Sequence, residues 1–266
     1  MKPSWLTAFV SLALAALGSV IPAAAEELVT LPTRSGVTQP FYLTKPETPP
    51  AASLILFTGG DGKLGKYGPV DHRHGNFLVR SRDFFADAGY NVAVVGRPSD
   101  RVEMDAAFRA GDDNVADLRA VIAKLRSQYG KPVWLVGTSL GTLSAAAVAA
   151  APNPPPIAGI VLTSSVTGTN RAVRTSVPQL DLAAIRVPVL VMHHKRDECT
   201  VCDPRQARRI VDALANAPAK KLLLVDGGAG AAGNPCEALH WHGYIGMEGD
   251  AVAAIVDFVR NPGPEK

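Results

Sequence analysis

Pro132-Val-Trp-Leu-Val-Gly-Thr-Ser-Leu-Gly-Thr-Leu-Ser-Ala-Ala-Ala-Val-Ala-Ala150 is the stretch on which the reading of this chain turns. Pro132 to Val136 is a short apolar run rich in β-formers and predicts a buried strand. Leu140 to Ala150 is small and apolar, which suits a helix packed closely on a sheet. Between them stands Gly137-Thr138-Ser139-Leu140-Gly141, a G-x-S-x-G pattern. A serine on so tight a strand-to-helix turn projects its hydroxyl above the edge of the sheet, and the flanking glycines remove side chains that would clash there. The start of the following helix favours negative charge developing nearby. The competing reading is a plain glycine-rich turn, and the strand before and helix after argue against it.

Outward from this point, strand and helix signals alternate. Strands are predicted at Leu28 to Leu31, Phe41 to Thr44, Ser53 to Thr58, Asn91 to Val95, Ile157 to Leu162, Val187 to Met192 and Lys221 to Val225. Helices are predicted at Phe77 to Ala88 (closed by Gly89), Asn114 to Gln128 (capped by Gly130), Pro204 to Ala215 and Met247 to Val259. Asp112-Asp113 reads as the N-cap of the second of these. The alternation predicts an α/β protein, a three-layer α/β/α sandwich on a mostly parallel sheet of about eight strands. The interval of about 25 residues between Leu162 and Val187 exceeds an ordinary connection, yet it is too short for a large cap domain. No internal repeat or linker divides residues 26–266, so a single domain is expected.

Composition narrows the function classes. The chain has 266 residues, 47% hydrophobic and 19% charged, with net charge +3. Such a chain buries a core rather than staying disordered. No basic run or stripe points to nucleic acid. Residues 1–25 read as a signal peptide: Lys2, an apolar run from Leu6 to Ile21, then Ala23-Ala24-Ala25 ahead of a cleavage point before Glu26. The apolar run is short for a membrane span of ~20 residues, and no cysteine marks a lipid anchor. A periplasmic or secreted protein with no stable membrane anchor is expected. Nothing in the sequence specifies an oligomeric state.

A serine hydroxyl needs a base, and the base needs an acid to hold its tautomer. Asp197 follows the strand ending at Met192, where such an acid should sit, and the neighbouring Glu198 is its rival. Two histidines, His240 and His242, lie between the last strand and the last helix. Spacing leaves both open as the base.

With G-T-S-L-G at 137–141, K-R-D at 195–197 and H-G-Y at 242–244, the chain resembles a small secreted serine hydrolase of the α/β-hydrolase superfamily, of the esterase, lipase and serine-peptidase type. The resemblance spans roughly residues 50 to 260. It implies a Ser139, His242, Asp197 triad, because the family's catalytic histidine is often followed by Gly and an aromatic residue, as His242 is by Gly243 and Tyr244. It also implies an oxyanion hole from two backbone N–H groups. One is that of Leu140; the other comes from the Thr58-Gly-Gly-Asp-Gly62 turn, with Gly60 preferred and Asp61 its rival. The implied chemistry is transfer of an acyl group from a small-molecule or polymeric carboxylic ester through an acyl-enzyme, with no metal and no organic cofactor. A peptidase, a thioesterase, a haloperoxidase-like or lyase variant, and a non-catalytic binding protein on the same scaffold stand as alternatives.

The three cysteines fit an oxidising compartment. A Cys199–Cys236 disulfide would tie the acid loop to the base loop, with Cys202 the competing partner. Cys199-Thr-Val-Cys202 spells C-x-x-C but lacks a second ligand pair for zinc and the context of a redox motif. His72, His74, His193 and His194 read as ordinary loop histidines rather than metal ligands.

Overall fold

A computed structural model of the chain describes residues 26–64 and 75–263. The expected signal peptide, His72 and His74 lie outside the described residues. One eight-stranded sheet runs in the order β1-β2-β4-β3-β5-β6-β7-β8. Its strands are β1 (Glu27–Pro32), β2 (Thr38–Thr44), β3 (Ala52–Phe57), β4 (Tyr90–Val95), β5 (Val133–Thr138), β6 (Gly159–Thr163), β7 (Val189–His194) and β8 (Lys220–Val225). β1 and β2 form an antiparallel hairpin that pairs antiparallel with β4, and β4, β3, β5, β6, β7 and β8 are mutually parallel.

The five strands β3 to β7 are buried along their whole length. Both faces must therefore be covered, and alternate residues go to alternate sides. Ile55, Leu135 and Val191 pack with Leu118, Val148 and Ile210 of α4 (Asp112–Tyr129), α5 (Gly141–Ala150) and α6 (Arg208–Ala213). Leu54, Val136 and Met192 pack with Phe77, Phe85 and Val252 of α1 (Phe77–Arg80), α2 (Arg82–Asp87) and α7 (Glu248–Arg260). The result is the expected three-layer sandwich, with both layers closed by apolar faces.

Local differences from the sequence reading have local causes. The helix expected over 77–88 is two pieces, because buried Ser81 leaves the helical region at φ −102°, ψ 5°. A short α3 (Ala106–Ala110) precedes α4. Five residues carry too little periodicity to be seen, although its Asp105 cap, accepting the Phe108 N–H at 2.8 Å, is a legible signal. The cap of α4 is Gly111, so Asp112 and Asp113 are first-turn residues, not caps; they still complement the helix dipole there. The helix expected from Pro204 opens as a 3₁₀ turn, Pro204–Gln206, before α6.

The interval between β6 and β7 holds two 3₁₀ turns, Val177–Gln179 and Leu182–Ala184. Val177 and Leu182 are buried in the core beside α5 and α6. The insert is spent against the sheet's flank, so it forms no large cap.

The β1–β2 hairpin is locked to α4 by a buried charge. Asp117 on α4 has no solvent exposure and accepts from Thr33 Oγ1 at 2.5 Å and from Arg34 Nε and Nη2 at 3.0 and 2.9 Å. Removing Arg34 strands that carboxylate with a single hydroxyl. Arg34→Ala should lose about 2–3 kcal/mol in urea denaturation, since Arg34 is itself partly exposed. A loss below about 0.5 kcal/mol, the level of an ordinary surface change, would contradict the assignment.

Candidate active site

The turn after β5 is built from backbone packed too closely to admit side chains. A Cβ on Gly137 would lie 2.4 Å from the Gly141 carbonyl oxygen, and one on Gly141 would lie 2.1 Å from that of Phe57. Ser139 between them has φ +53°, a left-handed conformation that costs a non-glycine residue free energy and persists only where its surroundings impose it. They do so here: the Ser139 N–H donates to Thr163 O at 3.1 Å, and its carbonyl accepts from Thr142 N–H and Oγ1 at 3.0 and 2.6 Å. The turn after β3 closes on the same point, for a Cβ on Gly59 would sit 2.8 Å from Ser139 Cβ and 3.4 Å from its Oγ.

Asp197 lies just beyond β7 with its side chain fully buried. Its Oδ1 accepts the Cys199 N–H at 2.9 Å, and its Oδ2 is 2.9 Å from His242 Nδ1. With Nδ1 donating to the carboxylate, Nε2 of a neutral imidazole is an acceptor. His242 Nε2 is buried and without a partner among the described residues. It lines a cavity of about 640 Å³ together with Ser139, Leu140, Gly60 and Asp61. Of the residues proposed from sequence, Ser139, His242, Leu140 and Gly60 line one cavity, and Asp197 reaches it only through His242. The rival acid and base do not line it: Glu198 is exposed, and His240 packs edge-on to Trp241, with ring centroids 6.2 Å apart, while Asp61 lines the cavity beside Gly60.

The loop that carries His242 is held from several sides. The ring of Trp241 stacks on His194 at 5.1 Å, and the Arg196 guanidinium lies 3.9 Å from its centroid. Ser164 Oγ donates to the His242 carbonyl at 2.8 Å. Buried Tyr244 takes a left-handed φ of +57°, donates its hydroxyl to Met192 O at 2.9 Å and accepts the Ser164 N–H at 3.2 Å. Arg80 donates to Gly243 O at 2.5 Å and to Glu248 Oε1 at 2.9 Å. Cys199 and Cys236 are disulfide-bonded, which joins the loop after Asp197 to the loop before His242 across 37 residues of sequence.

Cys202 is a free, buried thiol beside Ser139, and burial pushes its pKa far up, so it stays protonated. Cys199, Cys202 and His242 cluster closely. The Cys199 sulfur is committed to its disulfide, which removes a thiolate ligand from that set. His193 and His194 also have other engagements. His193 Nε2 accepts the Ser165 N–H at 2.9 Å, while His194 is bonded to the Arg196 N–H and the Gly227 carbonyl.

Ser164 and Arg80 carry no signal in the sequence, and Tyr244 and His193 none for the contacts they make, because nothing local marks those contacts. His193 has no solvent exposure, and burial pushes its pKa down to about 4 against an ordinary 6.5. Above pH 6.5 the ring is neutral in both folded and unfolded chains. As pH falls from 6.5 towards 4, the unfolded chain takes up a proton that the folded protein excludes, so stability falls and then levels. The shift corresponds to about 3 kcal/mol. Urea denaturation at pH 7 and 4.5 should show a smaller acid-induced loss in His193→Gln, which keeps an acceptor for Ser165, than in the wild type. Equal losses in the two proteins would refute it.

No family model and no curated protein matches the sequence. Solved structures do match its fold. The Pyrococcus furiosus esterase Pf2001 superposes with a TM-score of 0.65 at 17% identity, covering 91% of this chain and 96% of that one. XC6422 from Xanthomonas campestris, described as an α/β serine hydrolase without a lid, gives 0.62 at 18% identity, over 94% and 100%. Dipeptidyl peptidase 4 of Porphyromonas gingivalis gives 0.59 at 17% identity, over 90% of this chain and 36% of that one. With its sheet order, its strand-to-helix turn at Ser139 and these likenesses, the chain has the α/β-hydrolase fold, without a large cap.

Proposed function

We propose that the protein is a serine hydrolase that cleaves a carboxylic ester or related acyl compound through an acyl-enzyme. The observation that carries this reading is the Asp197–His242 bond of 2.9 Å, which leaves His242 Nε2 unpartnered in the cavity that Ser139 lines. His242 takes the Ser139 hydroxyl proton on Nε2 as Oγ attacks the carbonyl carbon. Asp197 stays ionised and stabilises the imidazolium. The tetrahedral oxyanion is met by the Leu140 N–H at the start of α5 and by an N–H of the Gly60–Asp61 turn. Collapse returns the proton to the leaving alcohol, and a water deprotonated by His242 then releases the acid and restores Ser139. No step calls on a metal or an organic cofactor.

The ester reading is supported by the esterases among the fold's relatives. The cavity lies open between Gly-rich turns, with Val166, Val173 and Val201 forming an apolar wall for an acyl chain. A periplasmic or secreted location is supported by the apolar leader and by the disulfide. No helix among the described residues is long and apolar enough to cross a membrane.

The test is fluorophosphonate labelling alongside hydrolysis of ester, thioester and peptide substrates. Wild type should label and hydrolyse esters, whereas Ser139→Ala should not label and should lose at least ~10⁴-fold in kcat. His242→Ala should fall with it while His240→Ala stays active, and Asp197→Asn should lose about 10⁴-fold through the wrong tautomer. Equal labelling of wild type and Ser139→Ala would remove Ser139 as nucleophile, and an unlabelled wild type would favour a binding protein.

A further inference from the structure

Arg109 is the largest of the fully buried side chains, on the short helix α3, and none of the chemistry above uses it. It does not line the cavity. Its Nε donates to Met104 O at 2.9 Å and its Nη2 donates to Gly60 O at 3.1 Å. The Met104 N–H in turn donates to Asp61 O at 2.9 Å. A Cβ on Gly62 would meet Met104 Sδ at 2.8 Å and Arg109 Nη2 at 3.2 Å, so the guanidinium packs directly beneath the turn. A buried cation is costly, and one bonded to two backbone carbonyls has given up water for a specific placement. Its pKa is pulled down by burial to about 10, which leaves it charged at neutral pH.

The position of one carbonyl decides the position of one N–H. A trans peptide is planar, with its C=O and N–H on opposite edges. The Gly60 carbonyl points away from the cavity, at Arg109. The N–H of the same peptide belongs to Asp61 and lies on the edge opposite Arg109, in a turn whose Gly60 and Asp61 line the cavity. Among the described residues, that N–H has no hydrogen-bond acceptor. The Asp61 side chain is occupied in bracing the turn, accepting the Lys63 N–H at 2.9 Å with Arg97 nearby at 3.8 Å.

Resting on the hydrolase reading, we infer that the Asp61 N–H, rather than that of Gly60, is the second oxyanion donor, and that Arg109 is the positioning residue that fixes and polarises it. A cation on the carbonyl strengthens the N–H of the same peptide as a donor. It also places positive charge behind the turn, where a dry interior screens it little. Arg109 never touches substrate. Its effect is on the transition state, where the oxygen becomes anionic, and not on binding of the neutral ester.

The experiment compares full-length wild type, Arg109→Met, Arg109→Lys and Arg109→Ala on p-nitrophenyl butyrate. Rates are expressed per active site titrated with a fluorophosphonate. Arg109→Met should lose about 10²-fold in kcat with KM within about threefold, the signature of a misplaced or weakened oxyanion donor. Arg109→Lys, which can reach Gly60 O but cannot bridge both carbonyls, should fall between, and it carries the test if the Met variant does not fold. Millimolar guanidinium should restore part of the rate of Arg109→Ala. A merely structural arginine would lower the number of titratable sites and leave kcat per site within about twofold of wild type; that result would overturn the inference alone. A wild type that takes no label would overturn the hydrolase reading and this inference with it.

Discussion

Three backbone segments meet at the turn from residue 137 to 141, and the rest of the structure is arranged around their contact. The Phe57 carbonyl at the end of β3 stands where a Cβ of Gly141 would be, and the Gly141 carbonyl stands where a Cβ of Gly137 would be. That closeness holds Ser139 at φ +53°, in a conformation it would not keep alone. It also places the start of α5 and the Gly-rich turn after β3 beside the same hydroxyl. The free-energy cost of the strained serine is carried by the buried parallel strands β3, β5 and β6 and the small-residue face of α5, which cannot shift without opening the core.

Asp197 and His242 follow later strands of the sheet and need different support. The segments that carry Asp197 and His242 follow β7 and β8, the last two strands of the sheet, and β8 is only half-buried. Packing alone would leave such loops mobile. The structure replaces packing with cross-links: a disulfide, a stacked tryptophan, a buried tyrosine hydroxyl and an arginine bonded to the Gly243 carbonyl. Arg109 does for the turn at residues 59–62 what these do for the His242 loop. The proposed chemistry therefore rests on a rigid turn and on two pinned loops that meet at one cavity.

Much of this was legible in the sequence wherever the signal was local. The strand, G-x-S-x-G and small-residue helix occur within 19 consecutive residues, and long periodic elements such as α4 and α7 announce themselves. Order along the chain was enough to propose Asp197. It could not separate His240 from His242, because that choice depends on which ring meets Asp197 across 45 residues. The five-residue α3 and the break at Ser81 carry too little period to be read. Arg109 and His193 were invisible for a deeper reason: an arginine in a polar stretch and a histidine at a strand end are usually solvated, and only non-local packing buries them.

In the proposed mechanism, Ser139 carries the acyl group between two half-reactions. Rapid-quench mass spectrometry of the protein mixed with excess p-nitrophenyl butyrate tests this most directly. A butyryl mass increment is expected on the peptide containing Ser139, formed in a burst with nitrophenolate and lost at the rate of turnover. Turnover without any acylated Ser139 peptide, when deacylation is slowed at low pH, or an acyl group on another residue, would contradict it.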